Sequence, residues 1–178
     1  MTTRSADVGV WRALDRDLAK HYAIRQRVFV LEQRIMEFTD LDPHDRDAHT
    51  IHVLAAQGSC AAGTVRLYPL DGELWQGDRL AVLPSHRSSM VGAELVRFAV
   101  ATAGGLGGAQ MLAQIQLPNV RFFERLGWTR AGATAPYCGL PHQPMVFDLT
   151  QAPATTWPGR PDELVLEPLV EVQDLRAG

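Results

Sequence analysis

Cysteine is scarce in this chain: Cys60 and Cys138 stand far apart, and neither has ligand-type spacing around it. This argues against a disulfide framework and leads to the expectation of two free thiols in a reducing, cytoplasmic setting. Long apolar runs are missing too. The longest are far too short to span a bilayer, and the N-terminus shows no signal-peptide apolar core, so no membrane partner is expected. Neither sign of charge dominates, since 17 Lys and Arg against 20 Asp and Glu leave a formal charge of −3. So slight an acidity gives no electrostatic case for nucleic acid. Internal repeats are absent, as are G-x-x-x-x-G-K-[ST] and G-x-G-x-x-G, which leaves a nucleotide-triphosphate or dinucleotide site unsupported. His44, His49 and His52 lie among aspartates, but their spacing matches no zinc motif, and no metal is expected.

What remains is an ordinary globular composition, 46% hydrophobic over 178 residues, which is enough for one domain with a substantial core. Val8 and Val10 suggest a first strand, and a helix runs from an N-cap at Asp15 or Asp17 to about Glu32. The acidic segment Asp40 to Asp47 reads as loop. Strands follow at Thr50–Ala56 and Ala62–Leu70, with Asp71-Gly72 turning into a third that ends at Leu83. A helix continues to about Ala103, a strand covers Met111–Gln116, and Pro118-Asn119 opens a short helix stopped by Gly127. Strands near Trp128–Ala133 and Pro144–Leu149 complete a mixed α/β (α+β) order. The domain is expected over 1–149. Residues 150–178 form an extension whose alternating Leu164-Val165-Leu166 and Leu169-Val170 suggest an added strand, an oligomer (homodimer) contact or a tail.

The most informative stretch joins the third strand to the second long helix. Leu83-Pro84 ends an apolar run, a loop of small residues with one arginine follows, and Val91, Leu95, Phe98, Ala99 and Thr102 then fall at helical spacing. Free backbone N–H groups and the positive end of the helix dipole converge there, which makes an anion site. Val82, Pro84, Arg87 and Gly92 occupy their places in V-x-P-x-x-[QR]-x-x-G-x-[GA], with Met90 where the first glycine is expected. This resembles the acetyl-CoA pyrophosphate loop of the GCN5-related N-acetyltransferases, the GNAT family.

Further segments carry the same resemblance, in the family's order. Arg25-Gln26-Arg27-Val28-Phe29-Val30-Leu31-Glu32-Gln33 resembles the R-x-x-V-F-x-x-E-Q helix of the branch that includes ElaA-like acetyltransferases. Gly63 to Leu67 resembles its G-x-x-R-L strand, Phe122 to Trp128 its F-Y-E-[KR]-x-G-F helix, and Gly139 to Met145 its G-[IL]-P-H-x-x-M ending. The chain also looks like a GNAT subfamily associated with nitrogen starvation, which brings no established substrate. The resemblance implies the GNAT acyltransferase fold: a mixed, mostly antiparallel sheet, splayed at the cofactor-binding strand and flanked by helices.

It also implies a chemistry. A bulge in the strand before the loop opens a gap, where the backbone of Leu80, Ala81 and Val82 bonds the pantetheine arm of acetyl-CoA as an extra strand does. A backbone N–H there stabilises the oxyanion. Arg87, Ser88, Ser89, Met90, Val91, Gly92 and Ala93 hold the pyrophosphate, and Asn119 and Phe123 of the late helix complete the cofactor site. Met90 is strained if its φ must be positive and harmless if the family's glycine serves only close approach. Phe123 stands where the family has a tyrosine acid, so Tyr137 and His142 become the candidates for proton transfer. The alternatives are a half-buried strand residue for Tyr137 and a loop-fixing histidine for His142.

On the first helix Leu18, Tyr22, Arg25, Phe29 and Glu32 form one stripe at helical spacing. Two charges on an apolar face need partners. One reading is a structural ion pair, such as Glu32 with Arg66. The other is an acceptor site in which Arg25, Glu37 and Arg66 bind substrate and Glu32 acts as base. The acidic segment is a solvated loop or an attractor of cationic amines. These readings lead to an acetyl-CoA-dependent N-acetyltransferase acting on a small-molecule primary amine by direct attack. The rivals are an acyl-homoserine-lactone synthase, which the early helix and Val65 to Pro69 also resemble, and a non-catalytic CoA-sensing or partner-binding module.

Overall fold

The computed structural model describes residues 7–169. Its centre is an eight-stranded sheet in the order β1-β2-β3-β4-β5-β8-β6, with β7 also on β8. β1 (Val8–Arg12), β2 (Ile51–Gln57), β3 (Cys60–Pro69) and β4 (Leu74–Val82) form an antiparallel meander. β2 and β3 are buried on both faces, which explains why they read as continuous rather than alternating apolar runs. β5 (Gln110–Gln116) lies parallel to β4, and β8 (Leu140–Asp148) runs antiparallel to β5 from Gln110↔Asp148 to Gln116↔His142.

Helix α2 (Val91–Gly105) packs its buried stripe of Val91, Leu95, Val96, Ala99, Val100 and Ala103 on one face of the sheet. Gly63 is required for that contact: a Cβ there would lie 2.8 Å from the Ala81 carbonyl oxygen and 2.9 Å from Leu95 Cδ1. Burying a side chain such as Leu95 stabilises the fold by about 2 kcal/mol. α3 (Val120–Arg125) adds Val120 and Phe123 to the same core. On the opposite face α1 (Leu18–Arg25) and the helical segment that continues it, Gln26–Glu32, cover a smaller core with Ile24, Val28 and Phe29 against Leu54, Ala61, Ala81 and Leu83.

Three expectations need correction. The first helix is not α throughout: from Gln26 to Glu32 it widens into a π-helical turn, with the Gln33 N–H bonded to Val28 O at 2.8 Å. The wider pitch carries Glu32 off the face that α spacing assigns to it with Arg25. The strand expected over Trp128–Ala133 shrinks to β6 (Thr129–Arg130). β7 (Ala135–Tyr137) then forms a hairpin with an early-starting β8, turning on Cys138 and Gly139 at φ 49° and 77°. A cysteine in the first left-handed position hides a turn that Asn-Gly would have announced.

After β8 the chain folds back over the domain. The Val10 N–H bonds Pro158 O, Arg160 pairs with Asp17, and the Trp157 Nε1–H donates to Glu94 at 2.7 Å. In the stretch read as an added strand, an oligomer contact or a tail, the described residues show one parallel bridge, between Val165 and Cys60, and Val170 lies outside them.

Candidate active site

β4 and β5 pair only at Leu74–Gln76 with Gln110–Leu112, and beyond those residues they separate. The cause is local to β4. Two steps of β3, Thr64 to Arg66, are matched by three steps of β4, Asp78 to Ala81. The extra residue bends the strand away from β5. Arg79 sits in this bulge at φ 52°, a left-handed conformation that costs a non-glycine residue about 1 kcal/mol or more. Its buried side chain secures the bulge, donating to Asp40 O at 3.0 Å and to an Asp42 carboxylate oxygen at 3.3 Å. The result is a cleft of about 300 Å³ through the sheet, lined by Leu80 on β4, Ile115 on β5, and Asn119 and Phe123 beside α3. The β5-facing backbone of β4 past Gln76 is left without a strand partner.

The loop before α2 is compact. A 3-10 turn covers Pro84–His86, and Ser89 Oγ accepts from the Val91 N–H. Gly92 and Ala93 are in the first turn of α2, where N–H groups have no intrahelical partner. Met90 is the N-cap at φ −81°, so the loop needs no positive φ and the methionine is unstrained. A Cβ on Gly92 would stand 3.6 Å from Phe122 and Val82, ordinary contact, so packing alone does not demand this glycine. Arg87 donates through Nε to Val82 O at 2.9 Å and through both Nη atoms to Glu32 at 2.6 Å. Glu32 therefore partners the loop, not Arg66, and it is not among the cleft-lining residues.

Arg25, Glu37 and Arg66 do not form an acceptor site. Arg25 and Arg66 are completely buried and lie off the cleft, and Glu37 is exposed and off it as well. The two arginines anchor the acidic loop instead. Arg25 bonds Asp40 at 2.5 Å and Asp45 at 2.7 and 3.0 Å. Arg66 bonds Asp42 at 2.7 and 2.9 Å, Asp45 at 3.0 Å, and Asp78 twice at 2.7 Å. Burial raises the cost of ionising Asp45, but the bonds from Arg25 and the Asp42 N–H outweigh it and hold its carboxyl well below the usual range. Asp40, Asp42 and Asp45 are thus salt-bridge partners, not free attractors of cations, while Asp47 stays exposed. Asp42 and Asp45 also form a capping box around Pro43–Arg46.

Two titratable side chains of the β7–β8 hairpin also face the cleft. Tyr137 and His142 both line it, with ring centroids 5.2 Å apart, edge to face. His142 Nδ1–H donates to Leu140 O at 2.8 Å, a tautomer that leaves the Nε2 lone pair free. Tyr137 also lies against the guanidinium of Arg79. Phe123 is buried in edge contact with Phe122 and Trp128 and has no hydroxyl to offer. Tyr68 escaped the sequence reading: it lines the cleft under Arg66 and stacks on His44 at 3.9 Å. Burial, then Asp78, pushes its phenol up, so it stays protonated. Its place two residues after Arg66 on β3 put it on that residue's face, which was the available signal. The exposed Gln33 and half-buried Gln116 also escaped notice; Gln116 Nε2 donates to Gln33 Oε1 at 3.0 Å and links the first helix to β5. Among the described residues no group of His, Cys, Asp and Glu is arranged to hold a metal ion, and no helix is long and apolar enough to cross a membrane.

A bulged strand parted from a parallel neighbour, with a helix N-terminus at the opening, defines an acyltransferase of the CoA-dependent type. The profile of the acetyltransferase (GNAT) family matches residues 14–128, and the chain belongs to that family. It is 26% identical over 136 residues to the uncharacterized N-acetyltransferase YjcF of Bacillus subtilis (strain 168), covering 75% of this chain and 94% of that protein. Its fold is similar to that of Escherichia coli ElaA, with a TM-score of 0.68 at 20% identity over 79% of this chain and 97% of that one. It is also similar in fold to BjaI, a CoA-dependent acyl-homoserine lactone synthase solved with SAM and isopentyl-CoA. There the TM-score is 0.66 at 21% identity, over 82% of this chain and 84% of that one.

Proposed function

We propose that the chain transfers an acetyl group from acetyl-CoA to the primary amine of a small molecule by direct attack. The observation that carries this reading is the parting of β4 from β5 with the first turn of α2 beside it. The unpaired edge of β4 at Leu80, Ala81 and Val82 suits the pantetheine amides as a strand suits its neighbour. The N–H groups of Gly92 and Ala93, with Arg87, suit the diphosphate. The amine nitrogen attacks the thioester carbonyl carbon, a β4 N–H stabilises the oxyanion, and the carbon–sulfur bond breaks as the amide forms. The amine proton passes to His142 Nε2, directly or through a water, and the departing thiolate takes a proton from Tyr137. That last step only assists, because a thiol with a pKa near 8.5 leaves tolerably unaided. Neither cysteine lines the cleft, which supports direct attack over an acyl-enzyme.

The test is calorimetric titration with acetyl-CoA and CoA, followed by thiol release over a panel of amines. Binding with turnover on an amine supports the reading. Turnover only with SAM, yielding an acylated homoserine lactone, replaces it with a synthase. Binding without turnover on any amine replaces it with a CoA-sensing module, and no binding removes all three.

A further inference from the structure

The cleft does not stop at the level of Leu80. It continues on the α2 face of the sheet to the point where β4 and β5 rejoin, at Gln76 and Leu112. The floor there is lined by side chains too small to fill it, Ala99 on α2 and Ala113 on β5, beside Gly77 on β4. Its walls are Met111, Phe123 and Trp128, all buried in the main apolar core. Protein interiors close-pack, and a void lined by such residues forfeits dispersion contacts that leucine or valine at the same positions would supply. At Gly77 the border is the Met111 side chain, since a Cβ would lie 3.0 Å from the flexible Met111 Sδ. The polar groups of the cleft belong to the opposite face. His142 is three residues from Met145 on β8, and Tyr68 three from Val65 on β3, so each points away from the α2 core.

We propose that this inner half of the cleft is an acyl-chain pocket, which extends the donors from acetyl-CoA to medium-chain acyl-CoA thioesters, hexanoyl to octanoyl. The inference rests on the acyltransferase reading above and concerns only what lies beyond the thioester carbon. From Leu80 to Gly77 the bulged strand advances about two regular steps, roughly 7 Å at about 3.3 Å each, a depth that suits the shorter chains of that range. The reaction balances as for acetyl: the amine nitrogen bonds the acyl carbon, the carbon–sulfur bond breaks, and the amine proton ends on the released thiol. Burial of each further methylene tightens binding by roughly fourfold.

The experiment titrates the full chain with CoA, acetyl-CoA and hexanoyl-CoA, and repeats it with Ala99→Leu and, on a different element, Ala113→Leu. Hexanoyl-CoA is expected to bind the unaltered chain on the order of tenfold or more tighter than acetyl-CoA. Either folded variant is expected to lose that preference while holding acetyl-CoA with little change. Equal affinity of the unaltered chain for acetyl- and hexanoyl-CoA overturns the pocket and leaves the acetyltransferase reading standing. Failure of all three to bind overturns that reading and the pocket together. Should both variants fail to fold, the comparison on the unaltered chain decides alone.

Discussion

Glu32 and Arg87 clasp one another through two bonds of 2.6 Å, joining the π-helical end of the first helix to the loop that opens α2. The arginine is held on a third side by Val82 O, at the last residue of β4. Strand, loop and helix end are thereby tied at one guanidinium, beside the N–H groups proposed to take the diphosphate of CoA. Both side chains are more than a third exposed, so the pair itself adds little to stability. Its consequence lies in binding, because the carboxylate and a phosphate compete for the same fork of donors.

Arg87→Ala is therefore expected to weaken acetyl-CoA binding by roughly 10- to 100-fold, the range for a hydrogen bond to a charged group. Glu32→Gln is expected to strengthen it, since it removes a competing negative charge while keeping the side chain's shape. Calorimetric titration of both variants reads the two effects. Unchanged affinity in Arg87→Ala would sink the assignment of this arginine to the diphosphate.

The buried ion network makes a separate prediction about the acidic loop. Asp45 accepts from Arg25, Arg66 and the Asp42 N–H. Asp45→Asn leaves two fully buried guanidiniums short of a counter-charge, and about 3–5 kcal/mol of stability should be lost. Asp47→Asn, an exposed neighbour in the same loop, is the control and should change stability little. Urea denaturation distinguishes them. Equal effects from the two would mean that the loop is held by something other than these charges.

The sequence carried the fold well wherever local chemistry and tertiary context agree. The Leu83 to Leu95 junction, the Gly63 strand and the order of elements could all be read because turn residues and periodicity mark them directly. The site was less legible. Charges on an apolar face announced that Arg25 and Arg66 needed partners, but partners contributed by a loop distant in sequence have no periodic signature. The acidic segment looked like solvated loop for the same reason. Glu32 was misplaced because a π turn leaves no mark in an α-periodic pattern, and the bulge at Arg79 was expected only from the family resemblance. Tyr68 was overlooked because the bulge that exposes it to the cleft lies on the neighbouring strand.

Acid sensitivity follows from the pair His21 and His52. His21 is fully buried; its Nδ1–H donates to Val53 O at 3.0 Å, and its Nε2 accepts from His52 Nδ1–H at 3.2 Å. Burial first, then Arg25 and His52, lower its pKa from 6.5 to about 3. Between those values the unfolded chain binds the proton and the folded chain does not. The histidine's contribution to stability is thus complete above pH 6.5 and is lost as pH falls towards 3, at up to ~1.4 kcal/mol per pH unit. His52, also lowered and chiefly by burial, acts in the same direction. Stability measured in urea should fall by about 2 kcal/mol or more from pH 7 to pH 5. His21→Gln should flatten that slope; a slope identical to the unaltered chain's would refute the assignment.

Thr50 gives a prediction of the opposite sign. Its side chain is 4% exposed, and its hydroxyl has no hydrogen-bond partner among the described residues. Burying an unpaired hydroxyl costs about 1–3 kcal/mol, and valine keeps the shape without the polar atom. Thr50→Val is therefore expected to raise the melting temperature by roughly 2–4 °C for each kcal/mol recovered. A lower melting temperature would mean that the hydroxyl has a partner in solution.

The proton path can be tested without knowing more of the acceptor than one amine that turns over. His142 holds its ring by donating Nδ1–H to Leu140 O, and an asparagine amide reproduces that donor but presents no basic nitrogen at the position of Nε2. His142→Asn should therefore fold and bind acetyl-CoA as the unaltered chain does, while kcat falls by about 10²–10⁴-fold, the usual contribution of a general base. Tyr137→Phe should reduce kcat far less, because a thiolate leaves without much help. If His142→Asn keeps kcat within a few-fold, the histidine only shapes the β7–β8 hairpin, and the amine proton must leave by another route.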